Sequence, residues 1–567
     1  MVTLKQHIIL TFQEALKECF PTLENPGIEL TPSTQAQFGH FQCNSAMKLA
    51  QKLGIPPRKM ADTWAAALPV ALFATIEVAG PGFINVRVQN GVLAHYLGKL
   101  GEDPYLGAKS EHPERILIDF SSPNIAKEMH VGHLRTTILG DVLARLLEFQ
   151  GHTVLRINHL GDWGTSFGML IAYMKDQHPD LTPESVPALS TLVTLYKAAK
   201  ARFDEDAAFK RTSQAEVVNL QSGEPQARAI WERICEVSRQ AYQQIYDILD
   251  IKLTDRGESF YQPFLAPMLE ELTQKGVVVT SEGAQCIFLE GFYTRDNEPL
   301  PFMIQKADGG FNYAATDLAA MRYRATEDRA NRIIIITDSG QDLHFKMLFA
   351  AAQKAGFVPT ELQFDHVGLG LVLGPDGKKF KTRSGETEKL IDLLEGAVTR
   401  AEEILVAREY TGDAAGLAAV LGINAVKYAD LSTHRGHDYV FSYEKMLQFE
   451  GNTAAYLMYA HVRMQSILQK VAATEDGDFT VEHPAEVALA VHLVQFADTL
   501  QHMAVDLYPH RLSDYLYVLA NLFNTFFQNC RVEGDVCQTS RRILVQHAER
   551  ILRTGMLLLG LKTVEKM

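Results

Sequence analysis

Between residues 115 and 158 the spacing of apolar positions changes twice. The stretch "RILIDF" is a continuous apolar run of strand length. "LRTTILGDVLARLLEFQ" then repeats apolar residues every three or four positions, and "HTVLRINHL" returns to a strand-like run. A strand, an amphipathic helix and a second strand in that order predict a β-α-β unit with parallel strands, the opening of a nucleotide-binding sheet.

The rest of the chain divides by the same criterion. Residues 1–107 run helix, loop, helix and a strand-like "TIEVAGPGFINVRV", closing on the polar, Gly- and Pro-containing "LGEDPYLGAKSEHPE". Residues 108–440 hold the β-α-β unit. They are interrupted at about 173–300 by charged helical stretches that read as an insertion, and strand-like runs resume with "PFMIQK", "RIIIITDSG" and "FDHVGLGLVLG". Residues 441–567 carry almost no strand signal and predict an all-helical terminal domain. The expected fold class is α/β: a Rossmann-like catalytic domain with helical insertions, a small α+β domain before it and an all-α domain after it.

Composition narrows the class without naming it. A chain of 567 residues, 47% hydrophobic and 22% charged, is an ordinary globular protein of several domains. No run of eighteen apolar residues predicts a membrane span, and the start "MVTLKQHIILTFQEALKECF" reads as an amphipathic helix, not a signal peptide. The six scattered cysteines form no C-x-x-C pair, so the expectation is reduced thiols in the cytoplasm and no zinc. A net charge of −14 argues against nonspecific coating of nucleic acid, but not against a local basic track.

The candidate chemistry lies in the loop "SSPNIAKEMHVGHLR". His130 and His133 fall three apart where a helix should begin, so they share a face at an end that attracts phosphate. Gly132 between them is expected to leave room for a ligand. Two imidazole donors there would stabilise charge building on an α-phosphate. Taken alone, H-x-G-H is more often a pair of histidines capping a helix; its place behind an apolar strand reverses that balance. A second loop, "GKKFKTRSG", is basic and glycine-flanked, and pairs with the first as another strand-end loop of one sheet.

H-x-G-H followed by a distant lysine-rich loop resembles a class I aminoacyl-tRNA synthetase. With "NHLGDWGTSFG", "YAATDLAA", "KYADLS", "VAGPGFINV" and "GNTAAYLMYAHVR", the likeness is to the arginyl-tRNA synthetase family over nearly the whole chain. The resemblance implies that Ser122, Asn124 and His133 hold the main-chain groups of L-arginine. It also implies that Tyr313, Asp317, Gln341 and Glu258 line its side-chain pocket. A carboxylate accepts two parallel hydrogen bonds from a planar guanidinium, which lysine does not offer. ATP is expected at His130, His133, Gly161, Asp162, Lys379 and Lys381, with Mg2+. The signature loop departs from the family pattern: it reads Lys379, Phe380, Lys381, Thr382, Arg383, so its second lysine is a threonine. Lys127, just before the histidines, is expected to supply the lost phosphate charge, with Lys381 and Arg383 as helpers.

The family also implies tRNA contacts, at Phe83 and Asn85 in the N-terminal section and at Tyr459 and Arg463 in the helical one. The expected reaction is ATP-dependent ligation of L-arginine to arginine-accepting tRNA through an arginyl-adenylate, by a cytoplasmic monomer. Two other readings stand beside it: a small-molecule nucleotidylyltransferase, which is usually a much shorter chain, and a synthetase-like RNA-binding protein without catalysis. A synthetase for cysteine or glutamate is disfavoured by the paired pocket carboxylates.

Overall fold

The computed structural model describes residues 2–567 apart from 24, 25, 34, 375, 379, 381–387 and 473–478. It resolves into two compact units. One is His112–Leu447; the other combines Met1–Glu111 with Gln448–Met567.

The first unit is built on a five-stranded sheet with all strands parallel, in the spatial order Gln363–Leu369, Arg332–Asp338, Arg115–Asp119, Thr153–Asn158, Thr254–Asp255. The first two strands in the sequence flank the helix Val131–Phe149, as the apolar spacing predicts. Strand order reverses between Arg115–Asp119 and Arg332–Asp338. In such sheets the loops leaving the carboxyl ends on either side of the reversal diverge and leave a crevice for a ligand. Here those loops are residues 120–130, which carry the serine-asparagine-lysine run, and 339–341, which precede the helix Asp342–Lys354.

Three expectations need correction. The segment 173–300 is not one helical insertion. After the helix Pro225–Ile248 the chain rejoins the parallel sheet at Thr254–Asp255 and adds the helix Glu258–Gln274, and residues 279–305 form a separate three-stranded antiparallel sheet. "PFMIQK" belongs to that hairpin sheet: the chain turns back at residues 294–298, where Asn297 adopts positive φ, and Pro299–Gln305 pairs antiparallel with Ala284–Tyr293. The basic loop does not leave the main sheet either. It follows Val372–Leu373, which pairs only with Tyr439–Val440 in a two-stranded sheet. Among the described residues one helix, Ala414–Leu431, is long and apolar enough to cross a membrane by length and hydropathy. It is mostly buried, and its Lys427 Nζ donates to the Leu249 carbonyl inside the unit, which is the behaviour of a core helix.

The second unit joins the two ends of the chain. A four-stranded antiparallel sheet carries the helices Leu4–Cys19, Ser45–Leu53, Pro57–Ala66 and Asn90–Glu102. Among the described residues, 454–472 and 479–558 hold five helices. Helix Asn90–Glu102 packs on Pro484–Leu493, and Thr3 Oγ1 donates to the buried Asp498 at 3.0 Å. Arg550 donates to the carbonyls of Gly101 and Asp103.

Candidate active site

The loop after Arg115–Asp119 is held in a conformation its residues do not favour. Ser121, Ser122 and Ala126 adopt φ of 71°, 49° and 59°, a left-handed region that costs a non-glycine residue about 1–2 kcal/mol. Such strain persists only when the surroundings over-determine it. Ser122 Oγ donates to Asp119 at 2.9 Å and accepts from the His159 amide at 3.0 Å, while its own amide donates to Asn158 Oδ1. Asp119 in turn pairs with the buried Arg324.

The other clamps come from one helix of the inserted segment, Pro225–Ile248. Ser238 Oγ accepts from the Ala126 amide at 3.1 Å. Tyr242 Oη shares its hydrogen between the carbonyls of Asn124 and Lys127, and Tyr246 Oη meets Ser121 Oγ at 2.9 Å. Ser238, Tyr242 and Tyr246 are spaced i, i+4, i+8, so one face of the helix grips the whole loop. That polar stripe is visible in "SRQAYQQIYDIL", and the sequence reading passed over it.

The two histidines cap the helix they begin. His130 is the N-cap of Val131–Phe149: its Nδ1 accepts from the Gly132 amide at 3.0 Å. His133 Nδ1 accepts from the His130 amide at 3.1 Å, completing a reciprocal box. With both Nδ1 atoms accepting, each neutral ring carries its hydrogen on Nε2. Burial lowers the pKa of His130, and lowers that of His133 to about 3; the charges of neighbouring groups, Lys127 among them, add to both effects. The rings lie 4.1 Å apart as two neutral donors. Gly132 also makes room for the capping ring: a Cβ there would sit 2.8 Å from His130 Cε1.

Several polar side chains gather around Asp317, the residue expected in the side-chain pocket, in the second turn of Tyr313–Thr326. His344 Nε2 lies 2.7 Å from Asp317 Oδ2, and His159 Nε2 lies 3.7 Å from Oδ1. Tyr313 is 65% exposed and meets His344 edge-on, with ring centroids 5.1 Å apart. Glu258 opens the helix Glu258–Gln274, where burial and the Asp317 and Asp162 carboxylates push its pKa up to about 8. Both ring nitrogens of His159 are buried without a hydrogen-bond partner, an arrangement that costs about 1–3 kcal/mol per group until something pairs with it. His159 and His344 were not singled out from the sequence, although both stand in quoted or adjacent motifs. Nothing local marks them; only the fold brings them to Asp317.

The remaining expected residues fall in several places. Gly161 forms a parallel bridge with Asn124, and a Cβ there would lie 2.1 Å from Asn124 Oδ1. Asp162, expected at ATP, is 1% exposed instead. It accepts from the Ser259 amide and hydroxyl at 2.8 and 2.7 Å, fixing the start of the Glu258 helix. Gln341 is exposed and donates to Asp338. Lys127 is exposed, with Nζ 5.5 Å from the Tyr196 ring centroid. Lys379, Lys381 and Arg383 lie outside the described residues. Beyond them the chain returns to the histidines: the Leu390 amide donates to the Met129 carbonyl and Lys389 pairs with Glu128.

In the other unit, Arg463 packs over the rings of Tyr459 and Phe527, 4.7 and 5.1 Å from their centroids, and donates to Tyr459 Oη and Asn524. The three residues line a groove of about 700 Å³. Phe83 is half-buried at a strand start. Asn85 is 3% exposed, so the side chain expected to meet RNA faces the interior in this arrangement.

The chain matches three family models. The model described as "tRNA synthetases class I (R), catalytic domain" matches residues 98–443. The arginyl tRNA synthetase N terminal domain matches 6–88, and the DALR anticodon binding domain matches 457–567. This chain belongs to the arginyl-tRNA synthetase family. Arginine–tRNA ligases of Protochlamydia amoebophila and Chlamydia abortus are 52% and 49% identical to this synthetase, in each case over 100% of both chains. The crystal structure of the arginyl-tRNA synthetase of Plasmodium falciparum superposes with a TM-score of 0.88 at 33% identity, covering 100% of both chains. That of Thermus thermophilus shares the fold, with a TM-score of 0.82 at 24% identity and the same coverage.

Proposed function

We propose that this synthetase joins L-arginine to arginine-accepting tRNA at the expense of ATP, through an arginyl-adenylate. The observation that carries the reading is the pair of neutral imidazoles at the start of one helix, in a unit whose acidic pocket holds Asp317 and Glu258. The amino acid's carboxylate attacks the α-phosphate of ATP in line, and pyrophosphate leaves. His130 and His133 donate from Nε2 to phosphate oxygens as negative charge builds, and because they are neutral they need lose no proton to do so. Lys127 adds a positive charge from the same loop. Magnesium enters as part of the substrate, on the ATP phosphates.

Asp317 faces the guanidinium, with Tyr313 flanking it. Ser122 and Asn124 are assigned to the amino acid's main chain, and the clamps from Pro225–Ile248 keep that loop from relaxing. The ribose hydroxyl of the tRNA terminus then attacks the adenylate carbonyl. Phe83 is assigned to the tRNA D-loop. The Tyr459–Arg463–Phe527 groove is assigned to an unpaired base, for which an aromatic face and a guanidinium are suited. We assign the protein to the cytoplasm as a monomer; its six free thiols fit a reducing compartment.

ATP–pyrophosphate exchange with each of the twenty amino acids, with and without tRNA, tests the reading. Exchange with arginine alone, dependent on tRNA, is the expected result. Exchange with another amino acid would refute the assignment of the pocket, and exchange without tRNA would refute the coupling.

A further inference from the structure

Asp317 accounts for one side of a guanidinium, but the pocket holds a second group that nothing in the protein satisfies. His159 sits at the carboxyl end of Thr153–Asn158, its backbone fixed by the amide bond to Ser122 Oγ and its ring against Tyr261 at 5.6 Å. Both its nitrogens are buried, neither has a partner, and Nε2 is 3.7 Å from Asp317 Oδ1. The contrast with His130 and His133 is direct. Their tautomers are set by backbone amides they cap, whereas the protein leaves the tautomer of His159 open. A buried imidazole without a partner, aimed at a carboxylate in a substrate pocket, is a place for a ligand's hydrogen bond.

We propose that His159 is a specificity-determining residue of the arginine pocket, its Nε2 accepting one guanidinium N–H while Asp317 Oδ1 accepts another. This rests on the reading of arginine as substrate. Two acceptors 3.7 Å apart suit N–H groups on neighbouring nitrogens of one planar cation. An ammonium offers only one nitrogen, and citrulline lacks the charge that Asp317 requires. His344 completes the arrangement as a positioning residue. It occupies Asp317 Oδ2 and so turns Oδ1 toward the substrate.

The test compares His159→Phe, which keeps the packing against Tyr261 but removes the acceptor, with His159→Gln, whose amide oxygen reaches the Nε2 position. In tRNA-dependent pyrophosphate exchange, H159F should raise KM for arginine roughly 10- to 100-fold, as expected for loss of one hydrogen bond to a charged group. It should leave KM for ATP, and kcat at saturating arginine, within about twofold. H159Q should recover most of the loss. A merely structural role would instead lower Tm and move both KM values together, with no recovery by H159Q, and would overturn the proposal. So would an unchanged KM for arginine. If the unaltered protein does not activate arginine at all, the functional reading fails first and the proposal with it. Should H159F not fold, histidine-selective 15N NMR of the unaltered protein reads the same contact. Arginine should fix His159 as the Nδ1–H tautomer, and no change on saturation would refute the contact.

Discussion

Glu258 gives the reasoning its sharpest quantitative edge. Burial, with the Asp317 and Asp162 carboxylates, raises its pKa to about 8, so the free protein holds it protonated at pH 7. A guanidinium in the pocket brings positive charge beside it and favours the ionised form, so binding arginine should expel a proton. Ionising a group of pKa about 8 costs about 1.4 kcal/mol at pH 7, a factor of ten, and about 2.7 kcal/mol at pH 6. Because the pKa is high in the free protein and lower in the complex, affinity must rise with pH up to about 8 and fall below it. The apparent association constant should grow roughly fifty-fold between pH 6 and pH 8. Glu258→Gln should abolish that dependence.

Titration calorimetry with arginine at pH 7, in buffers of different protonation enthalpy, should count about 0.9 proton released per arginine bound by the unaltered protein, and none by E258Q. The same shift acts on folding. The folded protein holds a proton that the unfolded chain has already lost, so ligand-free stability should fall as pH rises from about 4.5 to about 8, and E258Q should melt higher than the parent at pH 8. Arginine binding that releases no proton, or an E258Q variant that keeps the pH dependence, would refute the argument.

Other consequences can be measured separately. His133→Asn keeps an acceptor near the Nδ1 position and loses the Nε2 donor, so kcat of pyrophosphate exchange should drop roughly 100- to 1,000-fold while Tm stays put; a drop of less than tenfold would rule out a transition-state role. His133→Ala loses the cap as well and should add a stability loss of about 1 kcal/mol, read by urea unfolding. Gly161→Ala drives a methyl to about 2 Å from Asn124 Oδ1 and should raise KM for arginine by displacing that loop, leaving tRNA affinity unchanged in a filter-binding assay. Asp317→Asn should weaken arginine binding by about 2–3 kcal/mol without changing the affinity for ATP. An equal loss for both substrates would place Asp317 outside the pocket.

The sequence made some of this legible and hid the rest for physical reasons. The β-α-β unit could be read because strand and helix impose different periods, and the histidine pair because it falls at the seam between them. Thr254–Asp255 could not, since two residues have no period. Residues 279–300 fall within the expected insertion because a partly exposed hairpin sheet alternates weakly: Ala284–Tyr293 has only four buried positions in ten. His159 and His344 are unremarkable in the sequence, because only tertiary folding brings them to Asp317. Ser238, Tyr242 and Tyr246 were visible as a stripe, yet a polar stripe on a charged helix reads as a solvated face until the strained loop beneath it is seen. Gly132 is expected to leave room for a ligand, and the structure adds a nearer constraint, the neighbouring imidazole.

That both ends of the chain share one compact unit, with the catalytic unit contained between them, sets the order of events during synthesis. Residues 112–447 emerge as a continuous segment and can complete their own core while the ribosome is still working. The face of Asn90–Glu102 cannot meet Pro484–Leu493 until nearly four hundred further residues have been added. At 5–20 residues per second that leaves an apolar helix face uncovered for roughly 20–80 s. The nascent chain is therefore exposed to chaperones and proteases first at its N-terminal section. A truncated product that has finished the catalytic unit would still carry that unpaired surface, a mark by which quality control can tell an unfinished synthetase from a finished one.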